Sequence, residues 1–484
     1  MKKEQGMNFV FFFPDEMRAE SVSCYGHPLV QMPNYDRVAQ EGVRFEQCHV
    51  QHPVCSPARC SLMTGWYPHV AGHRTLWHLL RPHQPSLFRY LREVGYWIEW
   101  HGKNDLYAAE SFPLCVDRFA QAEGSHMGPN PYSLEDPRYM SFLYEPFSGD
   151  RRETRDIRNV AAGIEFLRRR RPDDPPFFLY LPLSMPHPPY AAPEPYHSMY
   201  DPADLPPLRP ADLPDKPDFY RLIRRYRRLD ELPEGHLERI QAVYLGSNSY
   251  VDWMLGELLT ALDETGLAVN TTLIVSSDHG DWAGDYGLVE KWPSALDDTI
   301  TRVPLLIRMP GGAAGHVVEE PVELMDLMPT ILELAGVRAR HTHLARSLLP
   351  QLQGAPGDPE RAVFCEGGYD THEPRCFEGR WADYDIPRSP AHIYYPKGLQ
   401  QQEHPESVCR AAMLRTQQYK LVRRTNGVQE LYDLARDPRE LRNRYDDPDY
   451  AHVRAQLEAR MLEWYIHSAD VVPWDENPRG LPSS

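Results

Sequence analysis

Short apolar segments alternate with amphipathic segments along most of this 484-residue chain. The apolar segments are rich in β-branched and aromatic residues and are short enough to be buried strands. Between them, apolar residues recur at three- and four-residue spacing, which predicts helices. The predicted strands are residues 8–13, 96–100, 177–183, 272–277 and 303–309, and the predicted helices are residues 32–41, 86–94, 159–170 and 237–265.

This alternation predicts an α/β fold in which a large, mainly parallel sheet is sandwiched by helices. The C-terminal part has a different pattern, because residues 409–424 alternate in polarity and Asn426-Gly427 is a hairpin signal. A strand at 428–434 and a helix at 451–466 follow. We therefore predict an α/β domain at residues 1–364 and a smaller α+β subdomain at residues 365–484, with a small antiparallel sheet and a terminal helix.

The net charge of the chain limits the kinds of molecule that it is expected to bind. The chain has 52 Lys and Arg residues against 69 Asp and Glu residues, a formal net charge of −17. Such an acidic chain is not expected to be a general nucleic-acid binder. Two local basic runs, at residues 168–171 and 221–228, are interpreted as solvated helix faces.

The sequence also predicts a cellular location. The apolar residues 9–13 are followed at once by Pro14, Asp15 and Glu16, so this run is too short for a signal peptide or a membrane span. Eight cysteines in a long chain of this kind are expected to be reduced rather than a disulfide framework. We expect a cytoplasmic protein that does not associate with membranes.

Chemically active side chains follow the predicted strands. Because the carboxyl ends of parallel strands meet at one edge of a sheet, these residues are expected to converge there. The pairs Asp15-Glu16 and Asp278-His279 offer oxygen and imidazole ligands for a divalent cation. Taken alone, each pair is also typical of a helix cap. The residues that follow strands are Asp15, Lys103, His187 and Asp278.

The pentapeptide Cys55-Ser56-Pro57-Ala58-Arg59 resembles the C-x-P-x-R signature of type I sulfatases. Further motifs resemble those of the same family and occur in the same order over roughly residues 8 to 440. The chain is thereby identified as a member of the type I sulfatases, in the alkaline phosphatase-like superfamily. These motifs are Cys24-Tyr-Gly26, Thr64-Gly-Trp-Tyr-Pro-His69, Gly102-Lys103, Pro186-His-Pro-Pro189, Asp278-His-Gly-Asp281, Lys291 and Leu431-Tyr-Asp-Leu-Ala-Arg-Asp-Pro438.

The resemblance implies that Cys55 is oxidised to formylglycine, whose hydrate, a geminal diol, attacks the sulfur of a sulfate monoester. It also implies one divalent cation, for which calcium is the first expectation and manganese or magnesium are alternatives. Arg59 would support the diol, and the other cationic side chains would bind the sulfate or leaving oxygens. The implied metal ligands are Asp15, Glu16, Cys55, Asp278 and His279, and the implied catalytic residues are Cys55, Arg59, Lys103, His187 and Lys291.

The implied partners are a sulfated small molecule or carbohydrate and a formylglycine-generating enzyme that acts on the unfolded Cys55 segment. The oligomeric state is left open. Segments between the core motifs are expected to recognise the substrate, because loops on a rigid scaffold commonly carry specificity. Candidates are the stretch that contains Arg74 and His78, the loops at 106–155 and 188–230, and a loop at 366–400 that would cap the entrance.

Three positions depart from the family pattern. Glu16 stands where Asp or Gln is commoner, and His279 stands where Asn is also frequent. Where many sulfatases have K-x-H, this chain has Lys103-Asn104-Asp105. If the strand continued, His101 would share a face with Lys103 and could replace the missing histidine. We expect Asp105 to pair with a cation of the site or to bind a polar part of the substrate.

Other functions remain open at this stage. A phosphonate monoester or phosphodiester hydrolase of the same superfamily would share the metal site and the diol. A non-catalytic binding protein would keep the fold with Cys55 unmodified. A phosphatase with a serine or threonine nucleophile conflicts with Cys55 and Arg59.

Overall fold

A nine-stranded sheet forms the centre of the computed structural model, which describes residues 6–370, 372 and 389–472. The strands are β1 (Asn8–Asp15), β2 (Val43–His49), β3 (Trp97–His101), β4 (Arg118–Ala120), β5 (Phe177–Pro186), β6 (Thr271–Ser276), β7 (Arg302–Arg308), β8 (His316–Val318) and β9 (Val322–Glu323). Their order in the sheet is β4-β3-β5-β1-β6-β7-β2-β8, and β9 pairs with β2.

Helices cover both faces of this sheet. Along β1, Phe9, Phe11 and Phe13 contribute to one apolar cluster, whereas Val10 and Phe12 contribute to another. Alternate residues of a strand point to opposite faces, so the two clusters are the cores on the two sides of the sheet. The helices are α1 (Pro33–Glu41), α2 (Cys55–Thr64), α3 (Pro68–Ala71), α4 (Leu87–Glu93), α5 (Phe112–Cys115), α6 (Arg155–Arg168), α7 (Phe219–Tyr226), α8 (His236–Glu264), α9 (Asp298–Thr301), α10 (Leu327–Leu334), α11 (Leu349–Leu352), α12 (Tyr395–Glu403) and α13 (Ala451–Ser468).

The predicted fold class is confirmed. The five predicted strands correspond to β1, β3, β5, β6 and β7, and the four predicted helices correspond to α1, α4, α6 and α8. The pairing is mostly parallel, but β7 is antiparallel to both of its neighbours, β6 and β2. The pattern did not predict β2, which alternates buried Val43 and Phe45 with half-buried Arg44 and Glu46.

A second sheet of four antiparallel strands occupies the C-terminal part. The Asn426-Gly427 turn joins two of its strands as predicted, but the alternating segment 409–424 holds two strands rather than one. The predicted domain boundary after residue 364 falls inside the first strand. The strands are β10 (Val363–Gly367), β11 (Ala411–Arg415), β12 (Tyr419–Arg424) and β13 (Glu430–Asp433), in the order β10-β11-β12-β13.

The terminal helix α13 packs on this sheet through Leu457, Met461 and Trp464, and the same cluster takes in Tyr67 and Met325 from the larger part of the chain. In the described ranges, no helix has the length and apolar character needed to cross a bilayer. The seven cysteines within those ranges are unpaired, and Cys376 lies outside them.

Two close backbone contacts fix loops that carry site residues. The long helix α8 has Gly246 at its contact with the loop after β5, and a Cβ at this position would lie 1.9 Å from the carbonyl oxygen of Tyr196. After β3, Gly102 has a φ of 134°, and a Cβ there would lie 2.0 Å from the carbonyl oxygen of Pro182. Both contacts require glycine, because backbone atoms cannot move aside as a flexible side chain can.

Gly246→Ala is expected to destabilise the protein by about 2 kcal/mol or more, because the added methyl group must displace the loop backbone. This sign is opposite to helix propensity, which favours alanine over glycine by about 1 kcal/mol. Denaturant unfolding would measure the difference.

Gly163→Ala in α6 is the matched control. A Cβ at that position meets only the side-chain ends of Leu181 and Leu179, the nearest at 2.9 Å. It is expected to stay within about 1 kcal/mol of the original protein, since the leucines can shift and helix propensity rises. Equal effects of the two substitutions would contradict the proposed role of Gly246.

Candidate active site

Neighbouring strands of the large sheet deliver the charged residues to one edge. Asp15 ends β1 and Glu16 follows it, His187 follows β5, and Asp278 comes two residues after β6. Lys103 comes two residues after β3. The strands β3, β5, β1 and β6 are adjacent and parallel, so their carboxyl ends lie side by side.

Helix α2 brings Cys55 and Arg59 to the same edge. All ten residues of this helix are buried, and Cys55 is its first residue. The Cys55 Sγ lies 3.1 Å from His279 Nε2 and 3.6 Å from Asp15 Oδ1. One helical turn later, the Arg59 guanidinium donates to Asp278 Oδ2 at 2.8 Å and to Asp15 Oδ2 at 3.1 Å. Residues four apart share a helix face, so one helix supplies both side chains.

The buried donor atoms fit a divalent cation. One ligand atom from each of Asp15, Cys55, Asp278 and His279 lies within 4.8 Å of all the others, and Asp15, Glu16 and His187 form a second such group. The Glu16 Oε1 is buried without a hydrogen-bond partner in the described residues. A buried carboxylate oxygen without a donor is costly unless a cation binds it.

The local backbone orients these ligands. His279 Nδ1 lies 3.0 Å from the carbonyl oxygen of Gly280, so that nitrogen carries the proton and Nε2 faces the site. Glu16 has a φ of 71°, which is unusual for a residue with a side chain, and its N–H donates to Asp278 Oδ1 at 3.1 Å. Strain of this kind is typical of functional sites, where the surrounding structure holds it.

Two lysines supply positive charge from different sides of the acidic pair. Lys103 Nζ lies 2.6 Å from Asp15 Oδ2 and 2.7 Å from Asp105 Oδ2. Lys291 Nζ lies 2.7 Å from Glu16 Oε2. Burial lowers the pKa of both lysines, but their carboxylate partners outweigh it and hold each pKa well above the ordinary value. Both side chains are therefore charged at neutral pH.

His187 is held neutral beside Lys291. Burial and the Lys291 charge together hold the pKa of His187 well below its ordinary value. Lys291 Nζ lies 2.9 Å from His187 Nε2, so the ammonium donates to the unprotonated ring nitrogen. The two residues form a donor–acceptor pair in which Lys291 carries the proton.

Burial and neighbouring charges also determine the protonation states of Asp15, Glu16 and Cys55. Burial raises the pKa of Asp15, but Lys103 and Arg59 overcome it and hold the pKa well below the ordinary value. Burial raises the pKa of Glu16 well above its ordinary value despite Lys291. Burial, reinforced by Asp15, raises the pKa of the Cys55 thiol well above its usual range. The unmodified Cys55 is therefore a protonated thiol, unlike a reactive cysteine.

These groups open onto a cavity of about 270 Å³. Cys55, Lys103, His187 and Lys291 all line it. Its volume is close to the lower end of the usual range for small-molecule sites, about 300–1,000 Å³. The other lining residues in the described part of the chain are Val54, Ser56, Leu76, Leu79, Asn104, Asp105, Glu290, Tyr394 and Lys397.

Three of the candidate substrate-binding residues lie elsewhere. His101 is buried in β3 with its Nε2 2.7 Å from Glu99 Oε1, and β3 ends there because Gly102 turns the chain away. Arg74 lines a separate cavity with His69 and Glu366. His78 contacts the Thr75 hydroxyl at 3.2 Å and is not among the residues that line the 270 Å³ cavity.

Asp105 is the exception, since it both lines the cavity and pairs with Lys103. Asn104 shapes this turn, because its Oδ1 accepts the backbone N–H groups of Leu106 and Tyr107. Arg59, in contrast, contacts the metal-compatible carboxylates from behind and does not appear in the cavity lining.

Several lining residues were not identified from the sequence. Leu76 lies within the segment that was chosen for Arg74 and His78, and Leu79 lies next to it. The sequence therefore indicated the right segment but not the residues of it that line the cavity. Tyr394 and Lys397 belong to the segment predicted to cap the entrance. Glu290, which precedes Lys291 in the sequence, also lines the cavity and is only 2% exposed, although glutamate is usually a surface residue.

Comparison with known proteins agrees with this geometry. Residues 7–337 match the sulfatase family model, and residues 375–466 match the C-terminal model of N-sulphoglucosamine sulphohydrolase. The chain is 29% identical to the multifunctional alkaline phosphatase superfamily protein PehA of Trinickia caryophylli, over 97% of this chain and 96% of PehA. It is 27% identical to the uncharacterised sulfatase YidJ of Escherichia coli K12, over 98% of this chain and 92% of YidJ.

Among solved structures, the phosphonate monoester hydrolase of Agrobacterium radiobacter superposes with a TM-score of 0.77 at 24% identity, covering 96% of both chains. This likeness shows the fold. The family match covers well over half of the chain, so the protein belongs to the sulfatase family. Its relatives include proteins named as sulfatases, which supports a sulfuric ester hydrolase. Membership implies a divalent metal and a formylglycine, and the buried group around Asp15 and Asp278 offers a site for the metal.

Arg59→Met is expected to lower the free energy of unfolding by about 3–5 kcal/mol, because Asp15 and Asp278 would lose their buried cationic partner. Arg59→Lys should recover part of this loss. Denaturant unfolding measures both variants. The control is Arg225→Met on the exposed side of α7, with an expected change within about 0.5 kcal/mol. An Arg59→Met protein as stable as the control would show that Arg59 does not compensate these carboxylates.

Proposed function

We propose that this protein hydrolyses sulfate monoesters through a formylglycine made from Cys55, assisted by one divalent cation. The observation that carries the proposal is the position of Cys55. Its side chain lies between the metal-compatible group of Asp15, Asp278 and His279 and a cavity lined by Lys103 and Lys291.

The charge of the cavity suits a sulfate ester. A sulfate monoester is an anion, so an anionic nucleophile is repelled unless the site supplies compensating positive charge. Lys103 and Lys291 supply two fixed charges, and Arg59 offsets the carboxylates behind them. Preorganised charge in a buried site commonly contributes more to catalysis than any other single effect.

The residues of this chain support a two-stage reaction. One hydroxyl of the Cys55-derived diol loses its proton, its oxygen attacks sulfur, and the bond between sulfur and the ester oxygen breaks. The leaving alcohol takes its proton from the Lys291–His187 pair, whose nitrogens are 2.9 Å apart. The second hydroxyl of the diol then loses its proton, the bond from carbon to the sulfate oxygen breaks, and sulfate leaves as the aldehyde re-forms.

The cation would be held by Asp15, Glu16, Asp278 and His279. When bound, it supplies Lewis-acid charge that favours ionisation of a hydroxyl and neutralises sulfate oxygens. Conversion of Cys55 replaces a thiol sulfur by oxygen, so the ligand set becomes three carboxylates, one diol and one imidazole. Hard oxygen ligands favour calcium, with manganese or magnesium as alternatives.

The burial of α2 supports maturation before folding. Cys55 is 2% exposed and Arg59 is fully buried, so a modifying enzyme cannot reach the motif in the folded protein. A formylglycine-generating enzyme must therefore act on the unfolded segment. The substrate itself is a sulfated small molecule or carbohydrate that fits the 270 Å³ cavity.

A second candidate is phosphonate monoester hydrolysis. It is favoured by the similarity to a phosphonate monoester hydrolase structure and to the multifunctional protein PehA. A phosphonate monoester carries one negative charge, as a sulfate monoester does, but has a carbon substituent in place of one oxygen. Leu76 and Leu79 in the cavity wall offer an apolar surface for such a substituent.

The protein made together with a formylglycine-generating enzyme is expected to contain an aldehyde or its hydrate at residue 55 and to turn over 4-nitrophenyl sulfate. Peptide mass spectrometry and release of 4-nitrophenol measure these two properties. Cys55→Ser should acquire at most one sulfate ester per molecule, on the introduced serine, without turnover, because a serine ester cannot expel sulfate by re-forming a carbonyl.

The two candidate functions are compared on matched substrates. A higher kcat/KM for 4-nitrophenyl sulfate than for 4-nitrophenyl phenylphosphonate supports the sulfatase proposal, and the reverse supports the second candidate. An unmodified Cys55 in protein made with a competent maturation enzyme would remove both mechanisms and favour a binding protein.

Chelation is expected to abolish turnover and lower the melting temperature, because Asp15, Glu16 and Asp278 would then face one another without a dication. Calcium should restore both properties at lower concentration than manganese or magnesium. Turnover and thermal unfolding measure the two effects, and zinc serves as the control ion. Full activity of the metal-free protein would contradict the role given to the cation.

A further inference from the structure

The cavity wall includes a lysine from the C-terminal part of the chain. Lys397 lies in the first turn of α12, lines the cavity and is only 8% exposed. Its Nζ lies 3.2 Å from Glu290 Oε1. Helix α12 packs against α7, which places its first turn beside the loop that carries Glu290 and Lys291. None of the catalytic steps above uses Lys397.

The Glu290 carboxylate already has another partner. Arg227 Nη2 lies 3.1 Å from Glu290 Oε2. The backbone carbonyls of Met140 and Ile393 accept from Arg227 Nη1, and the guanidinium lies 4.3 Å from the centroid of the Phe142 ring. Arg227 is thus fixed in place and would remain paired with Glu290 if Lys397 moved away. This also corrects the interpretation of residues 221–228 as a solvated face, because Arg227 is 2% exposed.

Among the residues that the structure describes, the charges in direct contact here leave a surplus of one cation. The cations are Arg227, Lys291 and Lys397, and the carboxylates that they contact are Glu290 and Glu16. A buried cation in excess of its carboxylates is unfavourable unless a ligand brings an anion. The surplus faces the cavity through Lys397 and Lys291, since Arg227 is not among the lining residues.

The opposite charge arrangement surrounds Lys103. There, one lysine contacts two carboxylates, Asp15 and Asp105, and Asp105 lines the cavity. A second anionic group on a substrate would be repelled at Asp105 and attracted at Lys397. The cavity therefore has one wall suited to an additional anion and one that disfavours it.

We propose that Lys397 binds a second anionic substituent on the substrate, a carboxylate or another sulfate, and so makes the protein selective for sulfate esters that carry two negative groups. The inference rests on the proposed sulfatase function and adds a substrate class to it. Lys397 releases one contact with Glu290, whose charge stays balanced by Arg227, and donates charge-assisted hydrogen bonds to the substituent.

The test compares three substrates: 4-nitrophenyl sulfate, a derivative with a ring carboxylate and a derivative with a second sulfate. The protein is expected to show a lower KM for at least one derivative than for the parent. Lys397→Gln should raise the KM of that derivative about 10-fold more than it raises the KM of the parent. The derivative that responds identifies the preferred anion.

Two further variants separate substrate binding from a structural role. Lys397→Arg keeps the charge and should restore most of the selectivity, whereas Arg225→Gln removes an exposed charge from the adjacent α7 and should change nothing. If Lys397→Gln raises the KM of parent and derivatives equally, or if the original protein shows no preference, the inference is wrong.

Calorimetric binding of the carboxylated and disulfated derivatives to the intact protein makes the test independent of turnover. Weaker binding to Lys397→Gln supports the inference, and equal binding overturns it. Absence of sulfate turnover with a modified residue 55 would instead count against the proposed sulfatase function. A thermal unfolding curve for each variant identifies any loss of folded protein.

Discussion

The site depends on the buried carboxylate of Asp15, which three other side chains contact. Its two oxygens contact the Cys55 thiol, the Arg59 guanidinium and the Lys103 ammonium, and it has no exposed surface. Three elements meet at this one group: β1 carries it, α2 approaches from its first turn, and the turn after β3 supplies the lysine. A buried carboxylate is tolerable only because these cations surround it, so the sheet edge and the helix fix each other's positions.

Much of this arrangement could be predicted from the sequence because it follows from local rules. Strand positions came from apolar runs, and parallel strands end at a common edge, so Asp15, His187 and Asp278 were expected to converge. Helix α2 was not among the predicted helices, and only the family resemblance linked Cys55 with Arg59. The strand β2 was missed because Arg44 and Glu46 interrupt its apolar pattern, and pairing with its neighbours is what makes it a strand.

The rest depends on contacts between distant positions. Lys397 and Glu290 are 107 positions apart, and no periodicity connects them. His101 does not replace the missing histidine, because β3 ends at His101 and the chain turns at Gly102 with a φ of 134°. Arg227 belongs to a basic run typical of a solvated helix, yet the carbonyls of Met140 and Ile393 hold it inside the protein. In each case tertiary packing, rather than local sequence, decides the role.

The complete enclosure of α2 has a consequence for how active material is produced. When the protein folds, all ten residues of α2 become buried, including its first residue, Cys55. An enzyme can then no longer reach Cys55 to modify it. Under the proposed function, conversion of Cys55 and folding would compete on the newly made chain, and a molecule that folds first would keep an unmodified Cys55. The relative rates of these two processes would then determine the fraction of active molecules in a preparation. No later treatment of the folded protein could increase that fraction.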